Sequence, residues 1–256
     1  MPEALLRVEG LHKQFGGVVA TNRLDLSVPS GEIHALIGPN GAGKTTLIHQ
    51  LSGALRPDSG RILLDGREVT RVSLHQRVQL GVARSYQVTS IFRGVTVLHN
   101  LALAVLARRG SSLRFWRPLA REGTLFEEAR ALAGQVGLTG REYAVAGTLA
   151  HGEQRQLEVG LALATGARRL LLDEPLAVLG PEESLRVVAL IDGLKGARTV
   201  LLVEHDMDAV FRLADRISVL DSGRIIATGT PQAIRNDAQV KRAYLGDEVV
   251  LKELPT

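Results

Sequence analysis

The stretch IHALIGPNGAGKTTLIHQLSGAL, starting at Ile33, constrains this chain more than any other. An apolar strand-like run enters a glycine-rich loop, and a helical pattern leaves it. Gly38, Gly43, Lys44 and Thr45 meet the spacing G-x-x-x-x-G-K-[ST], the pattern of a phosphate-cradling loop between a strand and a helix. Glycines let backbone N–H groups converge on phosphate oxygens, and the helix N-terminus adds the positive end of its dipole. The expected nucleotide-binding set is therefore Gly38, Pro39, Asn40, Gly41, Ala42, Gly43, Lys44, Thr45 and Thr46. Lys44 would reach the β- and γ-phosphates, Thr45 would ligate Mg²⁺ through its hydroxyl, and Thr46 would donate to the α-phosphate. A buried strand feeding a helix also calls for a layered α/β architecture.

A phosphate loop needs an acidic counterpart at the end of a second buried strand. LLLDEP supplies it, ending in Asp173 and Glu174. Asp173 is expected to hold Mg²⁺ through its water shell, and Glu174 to activate the attacking water. Three single residues fit the same site. Gln87, in ARSYQ, can touch both metal and water; His205, in LLVEHD, follows another strand and can hydrogen-bond a γ-phosphate. Phe15, in HKQFGG, can stack on a base, although a core position is the ordinary role of a phenylalanine. Together these residues describe a P-loop ATPase or GTPase.

Strand-like segments alternate with helical ones through most of the chain. LLRVEGLH, NRLDLSVPSGEIHALIG (turning at Ser30-Gly31) and GRILLDGREV (hinged at Asp65-Gly66) read as strands. From Val97 to about Leu163 helical periodicity takes over in VLHNLALAVLA, TLFEEARALAGQVG and EQRQLEVGLALATG. Strands then return in RRLLLDEP, ARTVLLVEHD and RISVLDSGRIIATG, and VKRAYLGDEVVLKELPT ends as a short helix and a tail. The 256 residues suffice for one large domain. The longest apolar run, LALAVLA, is far below the ~20 residues that cross a bilayer, and the N-terminus lacks a signal-peptide pattern. With no cysteine, disulfides and thiolate metal sites are excluded, which fits a cytoplasmic protein. The net charge of +4 is mostly scattered. ARRGSSLRFWRPLAR concentrates it, with Arg108, Arg109, Arg114, Arg117 and Arg121 around Trp116.

The order of these motifs resembles the ATP-binding subunits of ABC transporters over nearly the whole chain. Phe15 falls at the A-loop, GPNGAGKT at Walker A, Gln87 at the Q-loop, LLLDE at Walker B and His205 at the switch histidine. LAHGEQRQL takes the place of the family signature, so Ala150, His151, Gly152 and Glu153 would act on the nucleotide of a second subunit. The resemblance implies a P-loop NTPase (RecA-like) α/β core with an antiparallel β subdomain and an inserted α-helical subdomain. As one domain over residues 1–256, the core would take 1–88 and 162–230, the helical subdomain 89–161, and the C-terminal helix and tail 231–256. LLVEHDMDAVF, DEPLAVLGPEE, the ending YLGDE and the long helical insertion are most similar to the subunits serving branched-chain and related hydrophobic amino acids.

That resemblance implies ATP and Mg²⁺ as cofactors and a peripheral place on the cytoplasmic face of the inner or plasma membrane. It also implies two transmembrane permeases, a second ATP-binding subunit, and a periplasmic or extracellular substrate-binding protein. Nucleic acid is not expected as a partner, because no tandem nucleotide domain, long coiled coil or zinc module is present. A soluble ABC-type ATPase on nucleic acid or ribosomes, and a largely non-hydrolysing regulatory subunit, are the alternatives. The Arg-rich stretch would lie near lipid headgroups, or be a solvated loop with its tryptophan packed inward. Three positions depart from the family pattern: Ala150 replaces the signature serine, Gly180 the D-loop acid, and Leu161 an arginine. A hydroxyl donating to a charged phosphate is worth ~1.5–3 kcal/mol, or ~10–150-fold. The alanine therefore favours a heterodimer with unequal sites, in which this chain's own site hydrolyses faster.

Overall fold

Two burial patterns separate two sheets. Strand β2 (Val18–Pro29) alternates buried and exposed residues along its second half, as a half-covered antiparallel strand does. Strands β3 (Ile33–Ile37), β7 (Arg169–Asp173) and β8 (Thr199–Val203) are buried at every position, the mark of a parallel sheet covered on both faces. The computed structural model describes residues 4–85, 91–109 and 123–244.

The first sheet pairs β2 with β1 (Ala4–Phe15), β4 (Ser59–Leu64) and β5 (Arg67–Glu68), all antiparallel, in the order β2-β1-β4-β5. The second has the order β10-β9-β3-β8-β7-β6, where β6 is Val82–Arg84, β9 Arg216–Asp221 and β10 Arg224–Gly229. Its pairings are parallel except for the β9–β10 edge. The chain segment NRLDLSVPSGEIHALIG thus leaves one sheet at Pro29 and enters the other at Ile33. The α/β class expected from the sequence is the class observed.

Helix α1 (Lys44–Ser52) lies between the sheets: Leu47, Ile48 and Leu51 share a buried cluster with Leu6 and Leu26 of one sheet and Leu36, Leu171 and Leu201 of the other. It stops earlier than the pattern TTLIHQLSGAL suggested, because Gly53 takes a left-handed conformation (φ 83°) and caps it. Buried Arg77, on α2 (Leu74–Gln79), then donates to the carbonyls of Gln50 and Leu51 at 2.6 and 2.7 Å, and to Val69 O at 2.7 Å. A cation at the helix C-terminus satisfies carbonyls that the helix itself leaves open. The same burial pushes the Arg77 guanidinium down to about 10.

Helices α3 (Val97–Arg108), α4 (Gly123–Gln135) and α5 (His151–Ala164) bury Leu101, Val105, Leu125, Ala129, Ala133 and Leu157 in one cluster. Gly160 permits their close approach, since a Cβ there would lie 3.1 Å from Leu101 Cδ2. Beyond β7 come α6 (Pro181–Asp192) and α7 (Met207–Leu213). The C-terminal region carries two short helices, α8 (Pro231–Asn236) and α9 (Ala238–Tyr244), where the pattern suggested one. Helix α2 and the three-residue β6 were not anticipated, because so few residues carry no readable period. Among the described residues, no helix is long and apolar enough to cross a membrane.

Candidate functional site

In the parallel sheet β8 lies between β3 and β7. The loops leaving the carboxyl ends of β3, β7 and β8 therefore meet on one edge, where open α/β sheets place ligands. The phosphate loop follows β3. It is fixed by contacts that only glycine allows: a Cβ on Gly38 would lie 2.0 Å from Leu220 O, and one on Gly43 (φ +107°) 2.1 Å from Ala20 O. Hydrogen bonds Ala42 N→Pro39 O (3.2 Å) and Gly223 N→Ala42 O (2.9 Å) hold the loop against the β9–β10 turn. Asn40, Gly41 and Thr45 face outward, Pro39 and Thr46 are half-buried, and Gly38, Ala42 and Lys44 are buried.

Lys44 is only 7% exposed, and its Nζ donates to Gly38 O at 2.6 Å and Pro39 O at 3.0 Å. Burial lowers its ammonium from the ordinary lysine value, opposed by the nearby charges of Glu174 and Asp173. Those carboxylates leave β7 in opposite environments. Asp173 is fully buried; its Oδ2 takes a 2.9 Å ion pair from Arg84 Nη2, and its backbone N–H donates to Ser85 Oγ at 3.2 Å. Glu174 is partly exposed, adopts φ +50°, and lies with Oε1 2.8 Å from Nε2 of half-exposed His205.

Asp173 Oδ1 is buried and has no hydrogen-bond partner among the described residues. A buried carboxylate oxygen left open beside a phosphate loop fits a divalent cation or its water shell. The glycine loop at the N-terminus of α1, pressed against neighbouring backbone where Gly38 and Gly43 leave no room for a Cβ, likewise fits phosphate. Phe15 is not in the core: it is 49% exposed at the end of β1, with Lys13 Nζ 5.3 Å from its ring centroid. Gln87, Arg114, Trp116, Arg117 and Arg121 lie outside the described residues. Arg108 and Arg109 both pair with Glu128.

The signature segment forms the start of α5, with Ala150 as N-cap (φ −60°, ψ 159°). An alanine cannot cap with its side chain. Glu153 supplies half of the missing arrangement, its Oε2 accepting from Ala150 N at 3.0 Å while Oε1 pairs with Arg141 at 2.7 Å. The Gly152 amide donates to Glu183 Oε1 at 3.1 Å, and the other Glu183 oxygen accepts from Gly180 N at 3.3 Å. Those two amides hold the Glu183 carboxyl below the usual carboxylate range. A Cβ on Gly152 would lie 2.8 Å from Glu183 Cβ, so glycine is what admits that contact. His151 is exposed.

The structure thus brings Lys44, Asp173, Glu174 and His205 to one edge, and gives the signature residues separate partners. Sequence reasoning missed Arg84, Ser85, Glu183 and Glu204. The only available signal was position: Arg84 and Ser85 precede ARSYQ's glutamine closely, and Glu204 adjoins His205.

Comparison with known proteins agrees with this geometry. The family profile described as "ABC transporter" matches residues 21–177, and one described as "Branched-chain amino acid ATP-binding cassette transporter" matches residues 224–250. The high-affinity branched-chain amino acid transport ATP-binding protein BraF of Pseudomonas aeruginosa is 39% identical, covering 96% of this chain and 100% of its own. LivG of Escherichia coli, with the same description, is 38% identical at the same coverage. The lipopolysaccharide export system ATP-binding protein LptB of Haemophilus influenzae is 34% identical over 97% of this chain and 100% of its own. The crystal structure of the ADP conformation of MJ1267, an ATP-binding cassette of an ABC transporter, superposes with a TM-score of 0.83. It is 28% identical, covering 95% of this chain and 99% of that one.

Proposed function

The chain belongs to the ABC transporter family as an ATP-binding, ATP-hydrolysing subunit, and from that premise we propose that it energises an importer of branched-chain or related hydrophobic amino acids. The observation that carries the substrate class is the match at residues 224–250, outside the nucleotide-binding motifs, to the branched-chain profile. Full-length similarity to BraF and LivG supports it, at higher identity than the export protein LptB.

In this reading residues 1–256 act as one ATP-binding domain, peripheral at the cytoplasmic face of the membrane and docked on two permeases. Walker A residues Gly38 to Thr46 bind the triphosphate, with the Lys44 charge against its outer phosphates. Thr45, Gln87 and Asp173 hold Mg²⁺, which when bound neutralises developing negative charge. Glu174 accepts the proton of the attacking water, and His205, hydrogen-bonded to Glu174, orients that carboxylate and faces the γ-phosphate. Phe15 offers an exposed ring to adenine. A second, different ATP-binding subunit completes each site with its signature helix, and this chain's Ala150–Glu153 serve the partner's nucleotide. A substrate-binding protein delivers cargo.

The test is reconstitution in vesicles with two candidate permeases and a candidate substrate-binding protein. Leucine, isoleucine or valine on the binding protein should stimulate ATP hydrolysis and drive uptake. Stimulation by none of them, with stimulation by a lipid or polar solute instead, removes the amino-acid reading and leaves the ATPase intact.

A further inference from the structure

Glu204 is a buried carboxylate that the proposed chemistry leaves without a task. It follows β8 directly, is 4% exposed, and turns inward while its neighbour His205 turns out. Its Oε1 accepts from Leu176 N at 2.7 Å and its Oε2 from His205 N at 3.1 Å. Leu176 lies two residues past Glu174, on the loop after β7. One carboxylate therefore clasps the backbone of both loops that carry the Glu174–His205 pair.

Two other ties join these loops. Glu174 N donates to Val203 O at 2.8 Å, prolonging the strand ladder by one step, and His205 Nε2 meets Glu174 Oε1 at 2.8 Å. The ladder bond fixes height along the strands. It leaves open the direction in which each loop departs. Glu204 sets that direction, since its two oxygens define the separation of the Leu176 and His205 amides. Glu174 itself holds φ +50°, a backbone conformation that survives in a non-glycine residue only where surroundings enforce it.

Stability does not explain a carboxylate here. Burial raises its carboxyl from the ordinary 4.5 to about 7, further raised by Glu174, so the charged form is disfavoured despite the amides of Leu176, His205 and Asp206. A neutral acceptor would satisfy one amide at lower cost, but only a carboxylate presents an acceptor to each. We propose that Glu204 is a positioning residue for hydrolysis, holding the Leu176 and His205 backbones so that the His205 imidazole meets the Glu174 carboxylate. The proposal rests on the reading of Glu174 and His205 as parts of the hydrolytic site.

A double-mutant cycle tests it, with steady-state ATP turnover measured for Glu204→Gln, His205→Ala, both together, and neither. Glutamine can accept from only one of the two amides and turns its NH₂ toward the other. We expect kcat to fall ~10-fold, the size of one hydrogen bond lost from a buried amide, with KM for ATP within twofold. In the His205→Ala background the same change should cost less than twofold. An equal loss in both backgrounds, a matching rise in KM, or unchanged kcat in the single variant overturns the proposal. Thermal unfolding checks that Glu204→Gln melts cooperatively. If it does not, the cycle is run on Glu204→Asp, which keeps the charge but cannot span both amides, with the same outcomes deciding. Glu174→Gln, measured alongside, reports on the hydrolytic reading separately: full turnover there removes Glu174 as base, whatever the cycle shows.

Discussion

Two helix N-termini, those of α1 and α5, carry the proposed phosphate contacts, and they differ in what surrounds them. At α1 the amides open into a loop shaped by glycine contacts, and the nearby charges are buried: Lys44 at 7% exposure and Asp173 at 0%. At α5 the amides of exposed Ala150 and buried Gly152 are already engaged by acids of the same chain, Glu153 on Ala150 N and Glu183 on Gly152 N. The first end keeps an open carboxylate oxygen, Asp173 Oδ1. The second has carboxylates on two of its amides, those of Ala150 and Gly152. A phosphate arriving at α1 completes a site, while one arriving at α5 must displace or sit beside a carboxylate. The contrast is what the proposed function requires: a nucleotide site at α1 and, at α5, an end that acts only when two subunits close.

The largest effect that would break this contrast concerns Glu174. Glu174→Gln keeps size and most hydrogen bonding but removes the base, so steady-state phosphate release should fall ~10²–10⁴-fold. Equilibrium nucleotide binding should persist. Turnover near the wild-type rate would put the base elsewhere.

Lys44→Ala comes next and separates binding from chemistry. The ammonium faces phosphate charge in the ground state as well as during reaction, so ATP affinity by calorimetry should drop ~10–150-fold. Unchanged affinity would mean that the α1 end is not the built anion site described here.

At the α5 end the expected change is smaller. Ala150→Ser restores a side-chain cap, worth ~1 kcal/mol of stability, and a hydroxyl toward the partner's nucleotide. Single-turnover hydrolysis with each site of the proposed heterodimer blocked in turn should quicken at the partner-bound site by up to ~10-fold. This chain's own site should hardly move. Equal native rates at both sites, or an effect on this chain's own site, would sink the asymmetric pairing.

The subtlest distinction is in pH. Glu204, raised to about 7 in the fold from an ordinary 4.5, binds more protons folded than unfolded in that window. Its contribution therefore favours folding at the acid end and is lost as pH rises toward 7, with a slope of at most ~1.4 kcal/mol per pH unit. Half-buried Glu183, held low by the Gly152 and Gly180 amides, has the opposite sign: its contribution is present above the ordinary carboxylate value and fades as pH falls below it. Between pH 4.5 and 7 the pH dependence of the urea midpoint should change for Glu204→Gln relative to wild type, and hardly for Glu183→Gln. Parallel profiles for both variants would refute the assignment of a buried acid at one end and a surface acid at the other.

Much of this was legible in the chain. The loop from Gly38 to Lys44 carries its chemistry in its spacing, and the runs IHALI, LLLD and TVLLV announce strands buried on both faces. Helices α3, α4 and α5 were readable because each sustains a period for three turns or more. Phe15 shows the limit of residue type as a guide: a core position is the ordinary role of a phenylalanine, whereas the motif reading made it a base-stacking ring, and its place at the strand end leaves it half exposed.

By itself the sequence determined the local terms: which segments alternate or repeat, where glycine is required, and which residues bring charge or a hydroxyl to a strand end. Those properties depend on neighbours a few bonds away. Only the tertiary structure decided that β8 lies between β3 and β7, bringing three loop ends to one edge. It also decided that Asp173 meets Arg84 across 89 positions, that Glu183 reaches Gly152 across 31, and that Glu204 reaches Leu176 across 28. Burial and charge pairing act through space, and a carboxylate's protonation and reach are set by what the fold packs around it.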